Sequence, residues 1–141
     1  MFAQSSFGVV TRAGFWLMPA PQSLFTLTMH LPEPEDIGWL VDVLTPLRIR
    51  RVIDHPVSAT CYMASATTTS QRGEWYQGRG ALPDSVVREI MAKRGAGWWN
   101  FSIRLDGDPE VNEAHLRIIR SAFAPHTRQE FEITRWSADE A

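Results

Sequence analysis

Two stretches with a strict two-residue period, Leu24 to His30 and Trp98 to Leu105, most constrain what this chain can fold into. In the first, Phe25, Leu27 and Met29 share one side, while Leu24, Thr26, Thr28 and His30 share the other. In the second, Trp99, Phe101, Ile103 and Leu105 oppose Trp98, Asn100, Ser102 and Arg104. Successive strand side chains point to opposite faces, so each stretch reads as a half-buried strand whose apolar face must be covered.

Helices between the strands supply the cover. Glu33-Pro34-Glu35-Asp36 sets proline and acids where a helix begins, because the missing N–H costs nothing there and the helix dipole favours negative charge. Ile37, Leu40, Val41 and Leu44 then fit one helical face, with Pro46 as its end. Pro83 and Asp84 open a second helix with Val86, Val87, Ile90 and Met91 inward and Gly95 as its stop. Asp106-Gly107-Asp108-Pro109 is a turn into a third helix, with Asp108 as N-cap and Pro109 in the first helical position. Its inward residues are expected to be Val111, Ala114, His115, Ile118, Ala122 and Phe123.

The remaining segments are read more coarsely. Phe7 to Met18 is rich in β-branched and aromatic residues and predicts a strand that stops at Met18-Pro19-Ala20-Pro21. Leu47 to Ile53 and Val57 to Met63 are strand-like, separated by an Asp54-His55-Pro56 turn. Ala64 to Gly73 has no apolar period and predicts a surface loop running on to Gly80. Phe131 to Arg135 predicts a closing strand. The order gives an α+β class, a mainly antiparallel sheet with helices packed on one face.

At 141 residues with 44% hydrophobic content, the chain can build one domain with a genuine core but not two independent domains. A net charge of −2 without a Lys/Arg block argues against nucleic acid as a partner. No apolar run reaches the roughly 18 to 20 residues of a membrane helix, and no signal peptide stands at the start, so the chain reads as soluble and by default cytoplasmic. The single cysteine, Cys61, excludes an internal disulfide and reads as a small core residue.

Familiar catalytic patterns are missing. There is no phosphate-cradling glycine loop and no G-x-S-x-G elbow. His30, His55, His115 and His126 have no ligand-spaced neighbours; His115 reads as a satisfied, partly buried side chain and the others as ordinary surface residues. Glu33, Glu35 and Asp36, and likewise Asp106, Asp108 and Glu110, stand at helix starts, where capping accounts for them better than general acid chemistry does. The aromatic group Trp75, Tyr76, Trp98 and Trp99 reads as core, with a substrate or subunit contact as the alternative. Catalytic and metal-binding residues are therefore expected to be absent from this stretch of sequence.

The opening segment is different. Ser5, Ser6 and Gly8 are small enough to let a ligand approach the backbone, and Val9, Val10 and Thr11 begin an extended edge whose N–H and C=O groups can pair with a nucleotide. On the residues alone, a glycine easing entry into a plain strand is the favoured reading.

Residues Gln4 to Pro21 resemble the junction between flavin and cap domains in the vanillyl-alcohol oxidase and 4-cresol dehydrogenase family of FAD-linked oxidases, which carries Q-S-N-x-G-(I/V)-V-T-x-x-G-x-W-L-M-P-x-P. Ser6 stands where that pattern has asparagine. Further matches follow in order: Val43 to Arg48 as V-L-T-P-L-R, Leu82-Pro83-Asp84, Gly97-Trp98-Trp99-Asn100-Phe101 against G-R-W-N-F/M, and Phe123-Ala124. The resemblance implies residues 1–19 as the last strand of an FAD-binding domain and 20–141 as part of a cap domain, the ferredoxin-like half of its fold. It implies FAD as cofactor, with Ser5, Ser6, Gly8, Val9, Val10 and Thr11 along it, and a phenolic small molecule as substrate. The reaction so implied is hydride transfer from the benzylic carbon of a para-substituted phenol to flavin, through a quinone-methide-like intermediate. The phenolate-binding residues and the flavin tether lie outside the matched span, so a chain of this extent is expected to be an inactive part of such an enzyme, with homo-oligomer formation left open. The competing expectation is a stand-alone α+β module that dimerises through its Trp-rich face.

Overall fold

The computed structural model describes residues 8, 9, 11–17 and 19–138, with only the backbone at Ser65. Its elements run β1 (Ser23–Leu31), α1 (Asp36–Ile49), β2 (Ser58–Cys61), α2 (Tyr62–Thr69), α3 (Arg72–Trp75), α4 (Asp84–Arg94), β3 (Trp99–Gly107), α5 (Pro109–Phe123) and β4 (Glu132–Ser137). The strands form one antiparallel sheet in the order β2-β3-β1-β4. Leu27 lies opposite Ile103 on one side and Ile133 on the other, so β1, an inner strand like β3, carries apolar neighbours on both flanks.

The two-residue periods hold in full. Phe25, Leu27, Met29 and Leu31 of β1 and Phe101, Ile103 and Leu105 of β3 are buried under α1 and α5, which contribute Leu40, Val43, Leu47, Leu116, Ile119 and Phe123. Each large apolar side chain so buried contributes about 1.5–3 kcal/mol, which makes this layer the main source of stability. On the opposite sheet face stand Thr26, Thr28 and His30 beside Asn100, Ser102 and Arg104, partly buried or exposed.

Helix ends follow the local chemistry. Asp108 accepts from the Glu110 and Val111 amides at 2.8 and 3.4 Å, with Pro109 directly behind it. Asp36 accepts from the Glu33 amide and from the Trp39 indole, both at 3.0 Å. Gly95 ends α4 at φ 57°, the left-handed region where a side chain is strained, and so lets the Ala96 amide return to the Met91 carbonyl.

Four readings of the sequence are corrected. Pro46 does not end α1 but lies inside it, and the helix runs on to Ile49 because Leu47 buries in the core. Leu47 to Ile53 is accordingly the last turn and exit of a helix, with Arg51 at φ 57°, and not a strand. The face of α1 turns on Leu40, Val43 and Leu47 while Val41 is exposed; that of α5 turns on Asn112, Leu116, Ile119 and Phe123, leaving Val111 and Ile118 exposed. The expected surface loop from Ala64 holds α2 and α3, because Tyr62 and Ala66, four apart, drop into a second small core.

That second core joins Tyr62, Ala66, Val87, Ile90 and Met91 to Trp75, Leu82, Val86 and Trp98. Trp98 meets Tyr62 edge to face at 5.0 Å. The aromatic residues are thus largely structural: Trp99 packs on the main core and donates its indole N–H to the Pro34 carbonyl at 2.9 Å.

Candidate functional site

The segment expected to meet a cofactor precedes β1. Ser5, Ser6 and Val10 lie outside the described residues. Gly8, Val9 and Thr11 are exposed, Val9 at 91%, and belong to no strand. The expected strand is therefore not formed across residues 8, 9 and 11–17, for a plain reason: a strand needs a neighbour to accept its amides, and neither β2 nor β4 offers its edge to this segment. A Cβ added at Gly8 would meet nothing within 4 Å. Phe15, Trp16 and Leu17 are 83%, 98% and 81% exposed, three consecutive large apolar side chains without a core to enter. So contiguous an apolar patch marks a surface meant to be covered.

The root of the segment is fixed firmly. Ser23 is buried; its hydroxyl donates to the Gly107 carbonyl at 3.1 Å and accepts from the Asn112 amide at 2.8 Å. These bonds tie the start of β1 to the end of β3 and the first turns of α5. The segment thus leaves a firmly held base, and its described residues, 8, 9 and 11–17, are exposed. Such an arm fits the chemistry asked of a nucleotide-lining edge, namely small residues, unhindered amides and no side chain in the way.

A second polar focus lies where β1, β3 and the loop before β3 meet. Asn100 accepts from the Gly97 amide at 2.8 Å and donates to the Gly97 carbonyl at 3.1 Å, while its side-chain oxygen faces His30 Nδ1 at 2.7 Å. Gly97 is required by contact, since a Cβ there would lie 2.4 Å from the Leu31 carbonyl oxygen. Gly97 and Asn100 of the matched motif are hence explained by folding. Sequence reading missed this pairing because the residues that meet, His30 and Asn100, are far apart in the chain.

The other histidines have ordinary partners. His55 Nε2 lies 2.5 Å from Asp106 Oδ1, and His126 stacks on Trp39 at 5.4 Å. Arg48 donates to the Ile53, Asp54 and His55 carbonyls, pinning the exit of α1. His115 is half-buried, as expected of a packed histidine. Burial, helped by Cys61 and Asp84 nearby, pushes the Tyr62 hydroxyl above its ordinary value of 10.0. Among the described residues no group of three His, Cys, Asp or Glu side chains could hold a metal ion, and no helix is long and apolar enough to cross a membrane.

Comparison with known proteins gives a consistent result. No family model matches the chain. It is 31% identical over 125 residues to the 4-cresol dehydrogenase [hydroxylating] flavoprotein subunit of Pseudomonas putida, a match covering 87% of this chain and 24% of that protein. It is 24% identical over 131 residues to the 1'-carboxy-chondrochloren decarboxylase of Chondromyces crocatus, covering 89% of this chain and 24% of that protein. Among solved structures, p-cresol methylhydroxylase with substrate bound superposes with a TM-score of 0.74 at 27% identity, over 86% of this chain and 23% of that one. The 4-ethylphenol oxidase of Gulosibacter chungangensis, in its isoeugenol complex, shares the fold at a TM-score of 0.73 and 21% identity, over 82% of this chain and 22% of its own. The chain spans about a quarter of the length of the curated relatives it matches.

Proposed function

We propose, on the premise that this chain is homologous to part of the 4-cresol dehydrogenase flavoprotein in the vanillyl-alcohol oxidase group, that it forms part of an FAD-dependent oxidoreductase of para-substituted phenols. In the complete enzyme, residues 1–19 would supply the closing strand of the FAD-binding domain, with Ser5, Ser6, Gly8, Val9, Val10 and Thr11 along the cofactor. Residues 20–141 are part of the domain that caps the substrate. The observation carrying this reading is the contrast between a sheet core that closes from Ser23 onward and an exposed arm before it. That arm carries the matched motif and meets no partner strand among the described residues.

The described part of the arm fits FAD, since Gly8 leaves room for close approach and the Gly8, Val9 and Thr11 backbone faces solvent. FAD, when bound, supplies the acceptor for a hydride leaving the benzylic carbon. This chain's own part is to present backbone donors and acceptors to the cofactor, and to hold a rigid sheet over the site that excludes water. A decarboxylase shares the same quarter of sequence, which supports a positioning and capping role here, with the choice of reaction made elsewhere in the polypeptide.

The test is a chimera in which this chain replaces the matching quarter of the 4-cresol dehydrogenase flavoprotein subunit. The expected product retains FAD, read as flavin absorbance after gel filtration, and oxidises 4-methylphenol. Gly8→Val in the chimera should weaken FAD retention about tenfold, equivalent to about 1.4 kcal/mol, with the fold kept. A folded chimera that neither keeps FAD nor turns over would overturn the reading.

A further inference from the structure

α1 and α5 run antiparallel over the sheet, because each follows one of two antiparallel strands and returns across the same face. Between them lies an open groove of about 670 Å³, with Val43 and Leu47 in its floor. We propose that this groove is the contact surface for a second copy of the chain, packed helix on helix about a two-fold axis that crosses Pro46 and Ile118.

The lining of the groove matches itself in reverse. Asp42 and Arg50 stand four residues either side of Pro46, and Ala114 and Ala122 stand four either side of Ile118. Each set spans about 12 Å along its helix. Because both sets line one groove, Pro46 and Ile118 lie at the same level, and one axis can pass both.

Such an axis can lie in the helix layer in two ways, and charge selects between them. Directed along the helices, it lays α1 on the second copy's α5, crowds Arg50 toward the second Arg117 and leaves Asp42 opposite an alanine. Directed across them, it lays α1 antiparallel on its own copy. Asp42 of each chain then meets Arg50 of the other, Ile118 meets Ile118, and Ala114 meets Ala122, small enough for the α5 helices to approach. Opposite charges facing across an interface fix its register, whereas like charges forbid it.

The monomer leaves these groups available. Asp42, Arg50 and Arg117 make no ion pair with any described residue, so pairing them breaks no existing bond. Outside the N-terminal arm, the exposed large apolar side chains among the described residues are Met63, Trp136 and four on these two helices, Val41, Ile49, Val111 and Ile118. A surface so weighted toward apolar groups is one that association covers. A lone anionic ligand would satisfy Arg50 and leave Asp42 unpaired; a second copy pairs both, and symmetry makes every contact twice.

Sedimentation velocity of the full chain, without flavin, over micromolar concentrations should show a reversible monomer–dimer equilibrium. Asp42→Arg puts like charges together at both ends of the interface and should weaken dimerisation about tenfold, as should Arg50→Asp. Combining Asp42→Arg with Arg50→Asp restores opposite charges and should return the dimer to within about threefold of the parent. Ile118→Glu sets two carboxylates together at the axis and should leave only monomer. All three positions are exposed, so the fold is kept, which far-UV circular dichroism checks. A chain monomeric throughout, a dimer indifferent to a folded single reversal or to Ile118→Glu, or a double variant as weak as the single ones would each overturn the proposal. Association through the N-terminal arm or through Trp75 and Trp98 would appear as such an indifferent dimer. Because neither flavin nor substrate enters this measurement, its failure leaves the oxidoreductase reading standing, and the chimera can fail without affecting the dimer.

Discussion

At the residue scale, small polar contacts decide more than their size suggests. Asn112 is 1% exposed and sits in the buried face of α5, a position where the pattern of the sequence favours an apolar residue. That single side chain is why the helix face was read one position off, through Val111 and Ile118: an asparagine in a core stripe is legible only once Ser23 is seen beside it. Asn112→Ala leaves the Ser23 hydroxyl without its donor and should lower stability by about 2 kcal/mol in urea unfolding. Gly97→Ala drives a methyl into the Leu31 backbone, which cannot yield like a flexible side chain. An overpacking loss of about 1–3 kcal/mol should appear in the same measurement. Tyr62 gives a pH signature. Its ionisation is displaced upward in the folded chain, so the unfolded chain loses this proton first and the stabilising contribution fades as pH rises above 10.0. Unfolding free energies at pH 9 and 11 should therefore differ less in Tyr62→Phe than in the parent, and an equal difference would refute the assignment.

At the element scale, the strands were legible because period-two patterning over nine residues in β1 and in β3 leaves no competing arrangement. The start of α5 was legible too, since Asp108-Pro109 combines an acceptor with a residue needing no donor partner. Asp108→Ala should destabilise by about 1 kcal/mol, measured as a lower urea midpoint with unchanged slope. The second helical region was hidden for an equally physical reason. Five of the seven residues from Ala64 to Ser70 are serine or threonine, of low intrinsic helix preference, and α2 forms because Tyr62 and Ala66 find Trp98 and α4, partners no local window contains. Pro46 misled in the opposite direction: it removes one backbone donor, yet the burial of Leu47 carries α1 through it.

At the scale of the whole molecule, the α+β class was readable from element order, whereas the condition of the N-terminal arm was not. An edge motif announces that it can pair, but not whether the sheet it precedes supplies the partner. Because the described part of that arm adds nothing to the core, deleting residues 1–19 should change the unfolding free energy of the remainder by less than about 0.5 kcal/mol. A larger loss would mean that the arm belongs to this core and would remove the proposed domain boundary. The strand order has a consequence for how the chain is made. β1 is an inner strand, yet β3 and β4, which flank it, come only after α1, β2 and three more helices in chain order. Until those two strands emerge, the nascent chain therefore carries a nine-residue strand with both edges unpartnered. Ordering of the sheet must await their emergence, and chaperone capture of that one strand is the natural hazard of its biogenesis.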